Sequence, residues 1–240
     1  MIAWLARRLL VVVVILALPL VIGELLARKL IGDAVASTLA ARFGGSPRVG
    51  FGSKPLLLEL LDGHLDELTV SDARAHLGGL PPVALSASFR DVHVTSLTAL
   101  RGATGPVTVR ASLDATAVRD LLAVAGCTRS LPADVSEALG ADPRILLLAG
   151  HVSLLPVDGD AAELRLVPVL FHDAVAFRVI GVLLAGAAVP VATLRSVAAG
   201  TDCVRPLGSL PFNLRLDGVT AAPGAVQLDL RAAGASFAVG

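Results

Sequence analysis

The sequence predicts an α+β fold, an antiparallel sheet with a long helix behind an N-terminal transmembrane anchor. Three observations predict it. An uninterrupted apolar stretch, Leu9–Gly23, follows Arg7 and Arg8. Apolar residues then recur at helical spacing from Leu26 to Phe43. From Arg48 onward the apolar period falls to two, with turn residues between the runs, as in strands that are wet on one face and apolar on the other.

Residues 1–23 are the expected anchor. The 15 residues Leu9–Gly23 reach about 22 Å as a helix, short of a hydrocarbon core of roughly 30 Å. Met1–Ala6 lengthen the span, and the two arginines between can snorkel. A cleavable signal needs a small-x-small site just past the apolar run. The sequence there is Glu24-Leu25-Leu26-Ala27-Arg28-Lys29, and the first Ala-x-Ala, Ala34-Val35-Ala36, comes too late. The expectation is an uncleaved signal-anchor flanked by Arg7 and Arg8. The positive-inside rule puts its N-terminus in the cytoplasm and residues 24–240 on the outer, periplasmic or envelope, side.

Within that domain, Leu26, Leu30, Val35, Leu39 and Phe43 mark a helix stopped by Gly44-Gly45-Ser46-Pro47. Val49 and Phe51 start a strand. Pro55–Leu61 is a short apolar segment ended by Asp62-Gly63. Leu65–Ala75, Ala84–Thr95 and Pro106–Ala115 read as strands, and Thr116–Ala125 as a helix with Thr116 at its N-cap. Asp134–Leu139 is a further short helix. Arg144–Val157 and Ala161–Phe171 read as two strand runs joined at Asp158-Gly159. Ala174–Leu184 fits strand or helix, and Val189–Ala199 fits a helix. Phe212–Leu216 and Ala225–Arg231 read as strands flanking a Pro223-Gly224 turn.

Composition narrows the function classes. Twenty basic and 20 acidic residues cancel, which excludes an ordinary electrostatic nucleic-acid binder. With no Tyr, one Trp and seven Phe, there is little aromatic surface on which to stack bases. Hydrophobic residues make up 55%. Either this is a compositional habit rich in Ala, Val and Leu, or the domain has more apolar surface than a filled core needs. The two cysteines, Cys127 and Cys203, are expected to form one disulfide in an exported domain. The competing reading is two small buried apolar residues.

Catalytic motifs fail. No Gly-x-Ser-x-Gly elbow or Gly-x-x-x-x-Gly-Lys loop is present, and Gly50-Phe51-Gly52 lacks the third glycine of a dinucleotide turn. The five histidines include no i, i+4 pair. Asp158-Gly159-Asp160 has the spacing to hold a divalent ion, but Asp-Gly is expected at a hairpin turn for backbone reasons. The expectation is a non-enzyme with no metal and no cofactor. The remaining chemistry is apolar. A sheet curled round a helix can leave a greasy channel, with an acyl chain as its ligand. The alternating faces nominate Leu85, Phe89, Val107, Val109, Leu113, Leu164, Leu166, Leu214, Leu216, Val226 and Leu228 as lipid-cavity residues.

The layout resembles a known family. It runs from a basic N-terminus and anchor through a helix to Pro55–Leu61, Asp62-Gly63 and a strand carrying Leu65, Leu68 and Val70. It ends with Leu210-Pro211, Phe212–Leu216, Gly218-Val219-Thr220, a Pro-Gly turn and Val226–Leu230. This resembles the actinobacterial LmeA-like phospholipid-binding family over roughly Leu25–Val239. The resemblance implies a curved antiparallel sheet wrapped around a long helix, similar to tubular lipid-binding folds. It also implies a membrane-anchored envelope protein that binds phospholipid and supports lipomannan-type lipoglycan synthesis or lipid shuttling, with envelope glycosyltransferase machinery as a partner. The alternative is a non-catalytic scaffold subunit of an envelope assembly with a filled core.

Overall fold

The computed structural model describes residues 2–96, 101–124, 133–157, 162–189 and 203–238. The chain opens with α1 (Ile2–Phe43), β1 (Arg48–Phe51), α2 (Leu56–Leu61), β2 (His64–Ala75), β3 (Val83–Ser96), β4 (Arg101–Thr104) and β5 (Val107–Leu113). It continues with α3 (Ala115–Val124), α4 (Ala133–Leu139), β6 (Arg144–Leu148), β7 (His151–Leu155), β8 (Ala162–Phe171), β9 (Ala174–Leu184) and β10 (Ala187–Ala188). It ends with β11 (Cys203–Pro206), a 3₁₀ turn at Pro211–Asn213, β12 (Arg215–Ala222), β13 (Ala225–Ala232) and β14 (Ala235–Ala238).

The strands form two antiparallel sheets. The first has the order β1-β2-β3-β5-β13-β12, with β4 and β14 continuing from β3. The second has the order β10-β9-β8-β7-β6, with β11 on β9. Period-two burial explains why these segments are strands. Along β5, Val107, Val109, Ala111 and Leu113 are buried while Thr108 and Arg110 are exposed, and β8 and β13 alternate in the same way. The two inner faces share one core. The sheets are hooked together at their hairpins, where Gly150 N–H donates to Ala221 O and Gly224 N–H to Leu147 O.

Four expectations are corrected. The sheet is not one layer wrapped around a helix. Two sheets are present, neither closed among the described residues, and α1 runs along β1 and meets the core through Ala27, Ile31, Leu39 and Phe43. Arg144–Val157 is not one strand but a hairpin turning at Gly150, whose φ of 84° suits glycine. The cap of α3 is Asp114, whose Oδ1 accepts the Ala117 N–H at 2.8 Å, rather than Thr116. Phe212 and Asn213 leave the strand conformation for the 3₁₀ turn, and the strand itself starts only at Arg215. Ala174–Leu184 is a strand. The Asp158-Gly159-Asp160 turn and most of the Val189–Ala199 helix lie outside the described residues.

The segment expected as an anchor and the helix of the domain are one element, because α1 continues from Ile2 to Phe43 with Pro19 inside it. Its side chains are described from Leu18 onward, so those of Arg7, Arg8 and Leu9–Ala17 lie outside them. Among the described residues no helix is long and apolar enough to cross a membrane.

Candidate functional site

An apolar cleft lies where the C-terminal end of α1 meets the inner face of the first sheet. Leu39 and Phe43 form its helix wall. Val70, Asp72 and Ala75 of β2, Leu85, Ala87 and Phe89 of β3, and Val109 of β5 form its floor. Phe212 and Leu214 close it from the far end. The open space is about 30 Å³, room for a water or two rather than an acyl chain.

Local structure explains the closure. Gly44 and Gly45, with φ of 68° and 72°, turn the chain sharply off α1. A Cβ on Gly45 would collide with the Asp72 carboxylate, so the turn passes directly over that group. The end of α1 is tied down by the His76 N–H, which donates to Phe43 O at 2.7 Å. Opposite, the Phe212 ring lies edge-on to Phe89 at 5.8 Å and tilted against Phe43 at 6.1 Å. Phe212 and Asn213 have φ of 58° and 53°. Asn tolerates the left-handed region, but for Phe it is an outlier that stores strain. Phe212 is therefore a half-buried aromatic plug held on a strained backbone.

The other end of the domain helix is fastened by Glu24 and Arg28. Glu24 Oε1 accepts the Leu56 N–H at 2.6 Å and Oε2 the Leu57 N–H at 3.0 Å. It thereby caps α2, which starts at Pro55 without a side-chain cap of its own. Arg28 Nε donates to Glu24 at 2.6 Å, and its Nη2 reaches Lys54 O at 2.7 Å. Burial pushes the Glu24 carboxyl up, but the Leu57 N–H, Arg28 and the Leu56 N–H together hold it below its ordinary value. These two charges, which merely cancel in the sequence, lock α1 to α2. Leu58 and Leu61 of α2 remain exposed, as do Leu25 and Leu26 of α1.

Of the eleven nominated cavity residues, Leu85, Phe89, Val109 and Leu214 line the cleft. Val107, Leu113, Leu216, Val226 and Leu228 are buried within the first sheet's inner face, and Leu164 and Leu166 lie on β8 of the second sheet. The eleven do not converge on one channel. Sequence reasoning missed Leu39, Phe43, Phe212 and Asp72. Asp72 carried a readable signal, since alternation after Leu68 and Val70 points it inward, and Leu39 and Phe43 read only as the apolar stripe of a helix. Cys203 is buried and is not a free thiol; Cys127 lies outside the described residues. His64 and His93, 29 residues apart in the chain, are cross-strand neighbours with Nδ1 atoms 3.5 Å apart. Among the described residues no group of three or more His, Cys, Asp or Glu side chains is placed to hold a metal.

The cleft between the helix end and the sheet is apolar, as lipid-binding sites are. The chain belongs to the LmeA-like phospholipid-binding family, whose model matches residues 22–231. No curated protein and no solved structure matches it.

Proposed function

We propose that this chain is a membrane-anchored envelope protein that holds phospholipid by its acyl part in the α1–sheet cleft, with Phe212 as the movable plug. The observation that carries the reading is the cleft itself, which is apolar at twelve of its thirteen lining residues in a member of a phospholipid-binding family. On this reading residues 1–23 span the membrane with Arg7 and Arg8 inside, the domain faces the outer side, and Cys127 pairs with Cys203. The apolar run Leu9–Gly23 supports the anchor, with the exposed Leu25 and Leu26 just past Glu24. The chain then serves lipid shuttling, or presents lipid to envelope glycosyltransferases that build lipomannan-type lipoglycan.

The second reading is a non-catalytic scaffold with a filled core. It is favoured by the burial of ten of the eleven nominated residues. Tryptophan substitutions separate the two. In the full-length protein in detergent, Val109→Trp, on the cleft wall, is expected to abolish copurifying phospholipid, and because an indole exceeds the 30 Å³ of open space it also costs about 1–3 kcal/mol. Leu228→Trp, in the core, is expected to cost about 1–3 kcal/mol or more by overpacking. Absence of phospholipid from wild type by mass spectrometry, or its retention in Val109→Trp, sinks the lipid reading and leaves the scaffold.

A further inference from the structure

The cleft contains one polar side chain among its described lining residues, Asp72. On β2 it occupies the inward slot after Leu68 and Val70, opposite Leu85 of β3, just before the register shift that ends at Ala75. It is 8% exposed. Its Oδ1 accepts the Arg74 backbone N–H at 2.9 Å. Its Oδ2 is buried and has no hydrogen-bond partner among the described residues. A buried carboxylate oxygen without a donor is disfavoured, and such an orphaned group in a native protein calls for an explanation: strain, a water, an ion or a ligand. The Gly45 backbone lies directly against the carboxylate, where a Cβ would collide with it.

We propose that Asp72 reads the polar part of the bound lipid, with Oδ2 accepting a hydrogen bond from an N–H or O–H donor on the headgroup. This rests on the cleft being the lipid site, and it adds a ligand class: phospholipids whose headgroups carry a donor. A carboxylate acceptor makes the bond charge-assisted. A headgroup of equal charge without a donor leaves Oδ2 orphaned.

The test uses full-length protein in detergent and two matched pairs with identical acyl chains. Phosphatidylethanolamine and phosphatidylcholine differ in N–H donors. Phosphatidylglycerol and phosphatidylmethanol differ in O–H donors. Wild type is expected to prefer the donor-bearing member of at least one pair by roughly ten- to hundredfold, and that pair identifies the donor. Asp72→Asn keeps the side-chain volume and an acceptor for the Arg74 N–H. It is expected to cut the preference between the two members of the pair to about threefold or less, in a protein that still melts cooperatively. No preference in either pair overturns the proposal, and so does a preference that survives in Asp72→Asn. Equal loss of all four lipids with a lowered melting temperature assigns Asp72 a structural role and also overturns it. If wild type binds none of the four, the cleft reading itself fails and this inference with it.

Discussion

Replacing Phe212 by alanine and by glycine separates its two roles, plug and strained residue. The ring is half-buried against Phe43 and Phe89. A fully buried Phe→Ala change costs about 3–5 kcal/mol, so half-burial sets the loss for Phe212→Ala at about 2 kcal/mol. Alanine retains the left-handed φ of 58°. Glycine loses the same contacts but relieves about 1–2 kcal/mol of backbone strain, less about 0.5–1 kcal/mol for its greater freedom when unfolded. The expected order of stability is wild type, then Phe212→Gly, then Phe212→Ala, inverting the usual advantage of alanine. Both variants empty the plug position, so both are expected to take up a fluorescent acyl probe faster and more tightly than wild type. Thermal melts and stopped-flow binding on the full-length protein measure the two effects. If alanine is the more stable of the two variants, the strain argument is wrong. If neither variant gains acyl binding, Phe212 is not a plug.

Two further outcomes follow from charge and covalent structure. The Glu163 carboxyl is held below its ordinary value of 4.5, first by the hydrogen bond from Arg165 and then by that from Ser153, against opposing burial. A depressed folded-state pKa gives stability that is complete above the unfolded value and is lost as pH falls below 4.5 through the folded one. Melts at pH 7 and pH 3 are therefore expected to show a smaller acid-induced drop in Glu163→Gln than in wild type, by about 1 kcal/mol at most for a partly exposed pair; an equal drop refutes the assignment. Reducing the proposed Cys127–Cys203 bridge, whose loop spans about 75 residues, is expected to remove roughly 4 kcal/mol, or about 10 °C of melting temperature, and two free thiols in denatured, unreduced protein would disprove the bridge.

Much of the sheet was legible because one-sided burial writes itself as period two. Val107–Leu113 and Ala225–Arg231 are strands for that reason. The limits of the reading were local competitions. Apolar residues on both sides of Gly150 hid a tight hairpin inside Arg144–Val157. Asp114 outcompeted Thr116 as a cap because its carboxylate reaches the Ala117 N–H. The site was only partly legible. Alternation identifies an apolar face but does not tell cleft from packed core, so Val109 and Leu228 looked alike. Phe212 read as the first residue of a strand because its left-handed backbone leaves no mark in the residue pattern. The pairing of His64 with His93 depends on a register between β2 and β3 that spacing in the chain does not reveal.

The locked helix acts as a ruler. From Glu24, where α1 is bolted to α2, to Phe43 at the cleft, 19 helical steps measure about 28 Å along the axis. Both ends of that rod are fixed to the same sheet-bearing body, through the Glu24–Arg28 clamp and the His76–Phe43 bond, so the distance does not relax. On the proposed anchoring, with residues before Glu24 in the bilayer, an upright domain would hold its cleft nearly a hydrocarbon core's thickness above the surface. A lipid seated there has left the leaflet altogether. Such a geometry suits a carrier that hands its cargo to something waiting at that height, whereas a domain lying flat on its exposed Leu58 and Leu61 would bring the cleft down to load.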